Sequence, residues 1–284
     1  MDNQVLGTGW GTHWGDLRPP DGWEDYLRLA QEIWTKTEHR PVIWLHDAPI
    51  GSLVWTRDPK GIYYLARLTG AWEYRDSEQN RTLDICNVRP VKIVAVAGAE
   101  AAAPGAIVRT FSGRGRAFCR VHSDEAACYS EYLFATLAGE PVPSWRPSTW
   151  EVLDSLLGPF DVQDLVAAYL QAERGYIALP ARYKDSTIAY EYILRHPSDG
   201  HTVAVQVKTG DVWIDTAALP NDGGLRWIVF SARRCYPAQH PSHVETLDPN
   251  DLMEFMHNQP NALPPVAGFW LNLTSNNSKQ GASA

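Results

Sequence analysis

The sequence predicts a two-domain chain of mixed α/β class. A small, partly open β-barrel with one helix comes first, and a mixed sheet flanked by helices follows. Three observations carry this expectation. The 284 residues exceed the needs of one typical domain, and about two domains suit that length. The segment Gly139-Glu-Pro-Val-Pro-Ser-Trp-Arg-Pro-Ser148 holds three prolines and a glycine, which disfavour any regular element and suit a linker. Before it, short β-like runs alternate with turn signals; after it, a helix–strand–strand–helix order emerges. The domains are therefore expected at 1–138 and 149–273, and the small polar residues of 274–284 are expected to be disordered.

In the first half, Asp21-Gly-Trp-Glu24 reads as a capping box opening a helix to about Arg40, with Leu27, Ala30, Ile33 and Trp34 on one face. Strands are expected at Ile50–Arg57, Gly61–Thr69, Val88–Val96 and Ala106–Phe111, separated by Asp58-Pro-Lys, the polar run Asp76–Thr82 and Pro104-Gly105. In the second half, Thr149–Leu157 forms a short helix stopped by Gly158-Pro159. Asp161 can cap a helix to about Arg174, with Gly175 at its C′ position. Ile177–Pro180, Thr187–Arg195, Thr202–Lys208 and Leu225–Ser231 read as strands, the middle two joined by His196-Pro-Ser-Asp-Gly200. Asp248-Pro249 starts a closing helix through Leu252, Phe255 and Met256.

Composition narrows the function. Hydrophobic residues make up 44% and charged residues 20%, an ordinary globular balance. No run of about 18 apolar residues occurs, so no bilayer span is expected. The N-terminus lacks a basic region followed by an apolar one, so the expected location is cytoplasmic. Four scattered cysteines (Cys86, Cys119, Cys128, Cys235) form no CxxC pair and read as reduced thiols; Cys119, His122 and Cys128 lack a fourth metal ligand and a knuckle spacing. The net charge is −8, with 15 basic against 18 acidic residues up to position 144 and 10 against 15 beyond it. Coating DNA through bulk positive charge is excluded, whereas a local phosphate-binding patch is not. Walker, GxSxG and HExxH patterns are absent, and Gly7-x-Gly9-x-Gly11 is set aside because no strand is expected before it.

The chemistry-bearing stretch is Val203-Ala-Val-Gln-Val-Lys208. With period two, the valines share one face, and Ala204, Gln206 and Lys208 share the other. If the preceding strand pairs with it as a hairpin, Glu191 approaches Gln206 and Lys208. A carboxylate and an amide oxygen suit a hard divalent cation, and an ammonium beside them can orient a water and offset developing negative charge. That set suits phosphodiester hydrolysis. A solvated Glu/Lys cross-strand pair, worth only about 0.2–1 kcal/mol, is the plainer account of the same spacing.

The stretch Asp161-Val-Gln-Asp-Leu-Val-Ala-Ala-Tyr-Leu, then Gly175-Tyr-Ile, Glu191 and Gln206-Val-Lys208 resembles the Mrr-like branch of the PD-(D/E)XK restriction endonuclease superfamily over about residues 158–232. The resemblance implies a restriction-endonuclease-like mixed sheet. It makes Asp164 the helix acid, Glu191 the strand acid, and Gln206 and Lys208 the closing pair. Glu191, Gln206 and the backbone carbonyl of Val207 would hold Mg²⁺ or Mn²⁺. The chain departs from the family pattern in carrying Asp at 164 instead of the commoner Glu, and Glu at 191 instead of the commoner Asp. Asp185 is a substitute for the strand acid. An acid in a first helical turn also complements the helix dipole, which is the plain alternative for Asp164.

Seven of the twelve tryptophans precede residue 73. The run Gly51-Ser-Leu-Val-Trp-Thr-Arg57, Gly61-Ile-Tyr-Tyr-Leu-Ala-Arg67 and Gly70-Ala-Trp-Glu-Tyr74 resembles a PUA-type module of the EVE kind over about residues 10–135. That resemblance implies nucleic-acid reading, with Trp14, Trp55, Trp72 and Tyr74 as candidates to hold a flipped base and Arg57 beside them. Core and cross-strand packing is the alternative role for each aromatic. Arg114 and Arg116 lie in a segment without acids, between mobile glycines, and are candidate phosphate contacts. The expected function is a Mg²⁺-dependent DNA endonuclease of modification-dependent restriction or anti-phage defence. Two copies would serve to cut both strands, and a defence-system partner subunit is a further expectation. The rival is a non-catalytic nucleic-acid reader or scaffold on a degenerate nuclease fold; a stress or toxin-type RNase is a third reading.

Overall fold

The computed structural model describes residues 4–10, 19–35, 39–97, 99–112, 117–179, 190–221 and 225–275. The chain divides into two compact units. The first is residues 1–103 and 107–145, and the second is residues 104–106 and 146–284. The main break, between Trp145 and Arg146, falls inside the proline-rich segment 139–148.

The first unit carries β1 (Val5–Thr8), α1 (Trp23–Ile33), α2 (Arg40–Asp47), β2 (Leu53–Arg57), β3 (Tyr63–Leu68), β4 (Glu73–Tyr74), α3 (Glu78–Thr82) and β5 (Asn87–Ala95). Helix α4 (Gly105–Ser112) begins at the join of the two units, and α5 (Asp124–Ala138) follows. The sheet runs β1-β5-β3-β2 with β4 also on β5, and every pairing is antiparallel. Residues 87–90 of β5 pair with β1, whereas residues 91–95 pair with β3. One long strand thus serves both halves of the sheet, which curls as half a barrel.

Four expectations for this region are corrected. The helix expected from Asp21 to about Arg40 ends at Ile33, and a separate helix, α2, begins at Arg40. Trp34 turns extended and its N–H closes α1 on the Ala30 carbonyl, and Pro41 pre-sets the first turn of α2. The residue before α1 is Gly22, so the Asp21–Glu24 capping box does not form; the Asp21 N–H instead donates to Asp25 Oδ2 at 2.9 Å. The strand expected at Ala106–Phe111 is helix α4, in which Ile107 and Phe111 stand four apart and the Thr110 hydroxyl donates to the Ile107 carbonyl at 2.8 Å. The β-branched pair Ile107-Val108 mimicked a strand. Finally, strand β1 carries Gly7, and Gly9 follows its end. A Cβ on Gly7 would lie 2.9 Å from Ile85 Cβ, and one on Gly9 2.5 Å from Asp84 Oδ2, so the glycines admit a close chain approach.

Arg89 ties this unit together. Only 2% exposed, it donates from Nε and Nη2 to the Gly70 carbonyl (2.8 and 2.6 Å) and from Nη1 to the carbonyls of Leu45, His46 and Ala48. The guanidinium thereby caps the C-terminal end of α2, where the helix dipole favours a cation. Arg89→Met should cost about 3 kcal/mol or more, since it strands several buried carbonyls. Arg89→Lys should recover little, because an ammonium cannot reproduce the planar fork. Urea titration of both variants checks this; wild-type stability in Arg89→Met would refute it.

The second unit begins with α6 (Thr149–Glu151), capped by a Ser148–Glu151 box and continuing as a π-type turn over Val152–Leu156. Then come α7 (Pro159–Arg174), β6 (Ile177–Ala178), β7 (Tyr192–Arg195), β8 (Thr202–Lys208), β9 (Arg226–Ser231), β10 (Val244–Thr246), α8 (Pro249–Asn258) and α9 (Pro265–Ser275). Helix α7 ends as anticipated, on left-handed Gly175 (φ 68°). Asp161 is not its N-cap but its third residue, accepting from the Gly158 N–H at 2.8 Å. The closing helix is α9, not α8, and it begins at Pro265.

The sheet order is β10-β9-β8-β7-β6, with β10, β9 and β8 parallel and β8, β7 and β6 antiparallel. Residues 203–207 of β8 are all buried, so this central strand is covered on both faces. Trp227, Val229, Ala204, Val244, Ile214 and Leu219 form one core cluster of this unit. The sheet is mixed and helix-flanked, as the sequence predicts.

Candidate functional site

The register of β7 on β8 builds the site. Tyr192 pairs with Val205 and Arg195 with Thr202; continued by one residue, the same register sets Glu191 opposite Gln206. The Glu191 N–H donates to the Val205 carbonyl at 2.8 Å. Lys208 Nζ lies 2.9 Å from Glu191 Oε1, with side chains 34% and 23% exposed, so the pair is largely withdrawn from water. Gln206 is 7% exposed, and its buried Oε1 has no hydrogen-bond donor among the described residues. An amide oxygen in that state costs about 1–3 kcal/mol unless a donor or a cation meets it. The donor set Glu191 carboxylate plus Gln206 amide oxygen therefore fits a hard divalent ion. Val207 lies buried between Gln206 and Lys208.

Asp164 stands on α7, and desolvation pushes its carboxyl above the usual range. Its field and that of Glu191 both reach the Tyr192 hydroxyl, which burial first of all pushes far up and which donates to the Gln163 carbonyl at 3.1 Å. Tyr192 thus stands between the helix acid and the strand acid. Asp185 lies outside the described residues.

Sequence reasoning missed a second charged group in this unit. Arg233, two residues past β9, grips Asp154 with Nε and Nη2 at 2.7 and 2.8 Å and reaches Asp211 with Nη1 at 3.0 and 3.1 Å. Asp154 is nearly buried, at 7% side-chain exposure. Lys208 ends β8 and pairs in register with Ser231, which ends β9; Asp211 and Arg233 follow these two strand ends. In parallel sheets such ends are where ligands bind. The signal was Ser231-Ala-Arg-Arg-Cys235 directly after an apolar strand.

In the first unit the aromatic candidates separate into two groups. Trp55 donates to Ser130 Oγ at 2.8 Å and meets the Tyr63 ring edge-on, while the Arg57 guanidinium covers the rings of Tyr63 and Phe111 at 5.7 and 5.3 Å. Trp72 and Tyr74 instead pack on the α1 cluster of Tyr26, Leu29, Ala30 and Val42. Trp72 stands edge-on to Trp23, which stacks on His46 at 3.7 Å. Trp55 thus serves one aromatic group and Trp72 and Tyr74 another, rather than one mouth. Trp14, Arg114 and Arg116 lie outside the described residues.

A cavity of about 330 Å³ is lined by Gly9, Trp10, Trp34, Asp84 and Ala117. Trp10 and Asp84 are both left-handed (φ 63° and 50°), an uncommon conformation for side-chain-bearing residues that concentrates at ligand sites. Trp34, which packs on the α1 core cluster as expected, also lines this cavity, as does Trp10, which was not singled out from sequence; Trp23 lines a second one. No protein-family model, curated protein or solved structure matches the chain.

Two stability predictions follow from this geometry. In EDTA, Gln206→Met should equal or exceed the wild type by about 1 kcal/mol, because it removes an unmet buried acceptor; a clear loss of stability in urea titration would show that the amide oxygen is satisfied. Hydrogen bonds from Arg233 hold the Asp154 carboxyl below its usual range against its burial. A depressed folded-state value contributes stability above about pH 4 that is lost as pH falls through the titration of folded Asp154. Arg233→Ala should therefore cost about 2 kcal/mol at pH 7, and its deficit should shrink toward pH 3. A deficit independent of pH would refute this account.

Proposed function

We propose that the chain is a divalent-metal-dependent phosphodiesterase acting on DNA, with the second unit cutting and the first unit reading. The observations that carry this reading are the Glu191–Lys208 ion pair and the register that sets Glu191 opposite Gln206, whose buried amide oxygen meets no donor among the described residues. The order helix–strand–strand–strand–strand of α7, β6, β7, β8 and β9 supports an Mrr-like restriction endonuclease core. Glu191 and Gln206, with the Val207 carbonyl, are the residues that would hold Mg²⁺ or Mn²⁺; the ion supplies charge neutralisation and an acidified water. Lys208 is set to position that water and to offset charge on the phosphoryl oxygens once its ion pair loosens. Asp164, on α7, would support the bound ion.

The reading role rests on the cavity lined by Trp10 and Trp34, where an aromatic face and the Asp84 carboxylate suit a base drawn out of its stack. The function that fits both units is modification-dependent restriction or another anti-phage defence, carried out in the cytoplasm. A homodimer would cut both strands, and a partner subunit would gate it. No helix among the described residues is long and apolar enough to cross a membrane. The second reading, a non-catalytic reader on a decayed nuclease fold, draws support from the Glu191–Lys208 ion pair, which satisfies both charges without a metal.

Wild type and Lys208→Ala are compared with Mg²⁺ or Mn²⁺ on plain plasmid and on DNA carrying modified cytosines. Cleavage by wild type, reduced at least about 100-fold in the variant with DNA binding retained, is the expected result. Equal binding with no cutting by either protein, alone or with cell extract added, rejects the enzyme in favour of the reader. Trp10→Ala should weaken binding of the preferred DNA by about 5- to 100-fold, the value of one stacked base. Unchanged binding would move the reading site elsewhere.

A further inference from the structure

We propose that the turn joining β7 to β8 is a transition-metal site that takes Zn²⁺ through His196, Asp199 and His201. The β7–β8 register continues one step past Arg195 and Thr202, so His196 and His201 face each other across the hairpin. Their backbones close it, the His196 N–H donating to the His201 carbonyl at 2.9 Å, and Gly200 turns the chain at φ 75°. The imidazoles stack with centroids 5.3 Å apart and planes 8° from parallel. Asp199 folds back between them. Its Oδ1 lies 2.6 Å from His201 Nδ1 and 3.8 Å from His196 Nδ1. The three ligand atoms all fall within 4.8 Å of one another. Two ligands of one tetrahedral zinc ion stand about 3.4 Å apart, so the observed pair of distances brackets what coordination needs.

An ordinary hydrogen-bonded turn accounts for Asp199 and His201, but two further features exceed it. His196 Nδ1 approaches the same carboxylate oxygen, with the Ser198 hydroxyl 2.7 Å away. His201 is also held from behind, its Nε2 3.1 Å from the Tyr176 hydroxyl. A metal-bound imidazole usually hydrogen-bonds through its second nitrogen in this way, which fixes the ring and its tautomer. The Tyr176 ring stands edge-on to both imidazoles, at 5.4 and 5.6 Å. Two imidazoles and one carboxylate select a borderline ion such as Zn²⁺ over Mg²⁺. Asp199 is 61% exposed, which leaves a fourth position to water. Because Tyr176 follows Gly175 at the end of α7, the ion would fasten the hairpin to that helix. Four strand residues, or five steps of about 17 Å in all, separate His196 and His201 from Glu191 and Gln206. The site is thus structural, and its ligands are distinct from those of the proposed nuclease centre.

The untagged full-length chain, stripped of metal, is titrated calorimetrically with Zn²⁺ and spectroscopically with Co²⁺. One equivalent should bind saturably, give tetrahedral cobalt bands without a thiolate charge-transfer band, and raise the melting temperature. His196→Ala and His201→Ala should each weaken binding by at least 100-fold, and Tyr176→Phe by about 10-fold with the cobalt spectrum kept. Absence of saturable binding, equal binding in the two alanine variants, or a thiolate band in wild type would each overturn the proposal. The wild-type spectrum decides the case even where an alanine variant fails to fold.

Discussion

Strand β8 is buried on both faces, and its register sets what the second unit can do. A fully covered strand cannot slip by one residue without carrying Val203, Val205 and Val207 to the wrong side. That constraint sets Glu191 opposite Gln206 and brings Lys208 to Glu191, and in parallel it sets Lys208 beside Ser231 at the end of β9. It also explains the peculiarity of Gln206. A polar side chain on such a strand must find its partner inside the protein, and its amide oxygen finds none. Hydrophobic burial would favour methionine there. Gln206 therefore carries a cost in the folded chain that a bound cation or an added donor would offset.

Much of the second unit was legible because its signals are local and strong. Period-two alternation gave β8 to the residue, and Gly175 gave the end of α7. The convergence of Glu191 and Lys208 followed from one assumption, that two adjacent strands form a hairpin. The grip of Arg233 on Asp154 was not legible, since 79 residues separate the two and no periodicity links them. Strand β10 was missed because three residues pairing in parallel leave almost no local pattern.

The first unit was read less well, for opposite reasons. Strands β2, β3 and β5 were placed to within a few residues and β1 and β4 were missed, while aromatic richness suggested a single mouth where packing demanded two groups. Trp55 is taken up by Ser130 on α5, a helix that went unread despite Ser123, two acids in its first turn and Gly139 as its cap. Attention to aromatic and β-branched residues hid those capping signals, and the same bias turned α4 into a strand. The buried Arg89 had no sequence signature at all. Five of its contacts go to backbone carbonyls, which any sequence supplies.

The hairpin β7–β8 links the two sites argued for this unit through a single number, its register. The pairing that sets Glu191 across from Gln206 at one end sets His196 across from His201 at the other. A ligand fastened at the turn stabilises only the register in which the two imidazoles face each other. It therefore also holds the far end in the one alignment that brings the carboxylate to the buried amide. The coupling needs no conformational change and no path of side chains, because an antiparallel pair of such short strands shifts as a unit or not at all. Four residues of β7 are too few to hold that alignment by ladder hydrogen bonds alone. The stacked histidines, Asp199 and Tyr176 supply what the strand's length does not.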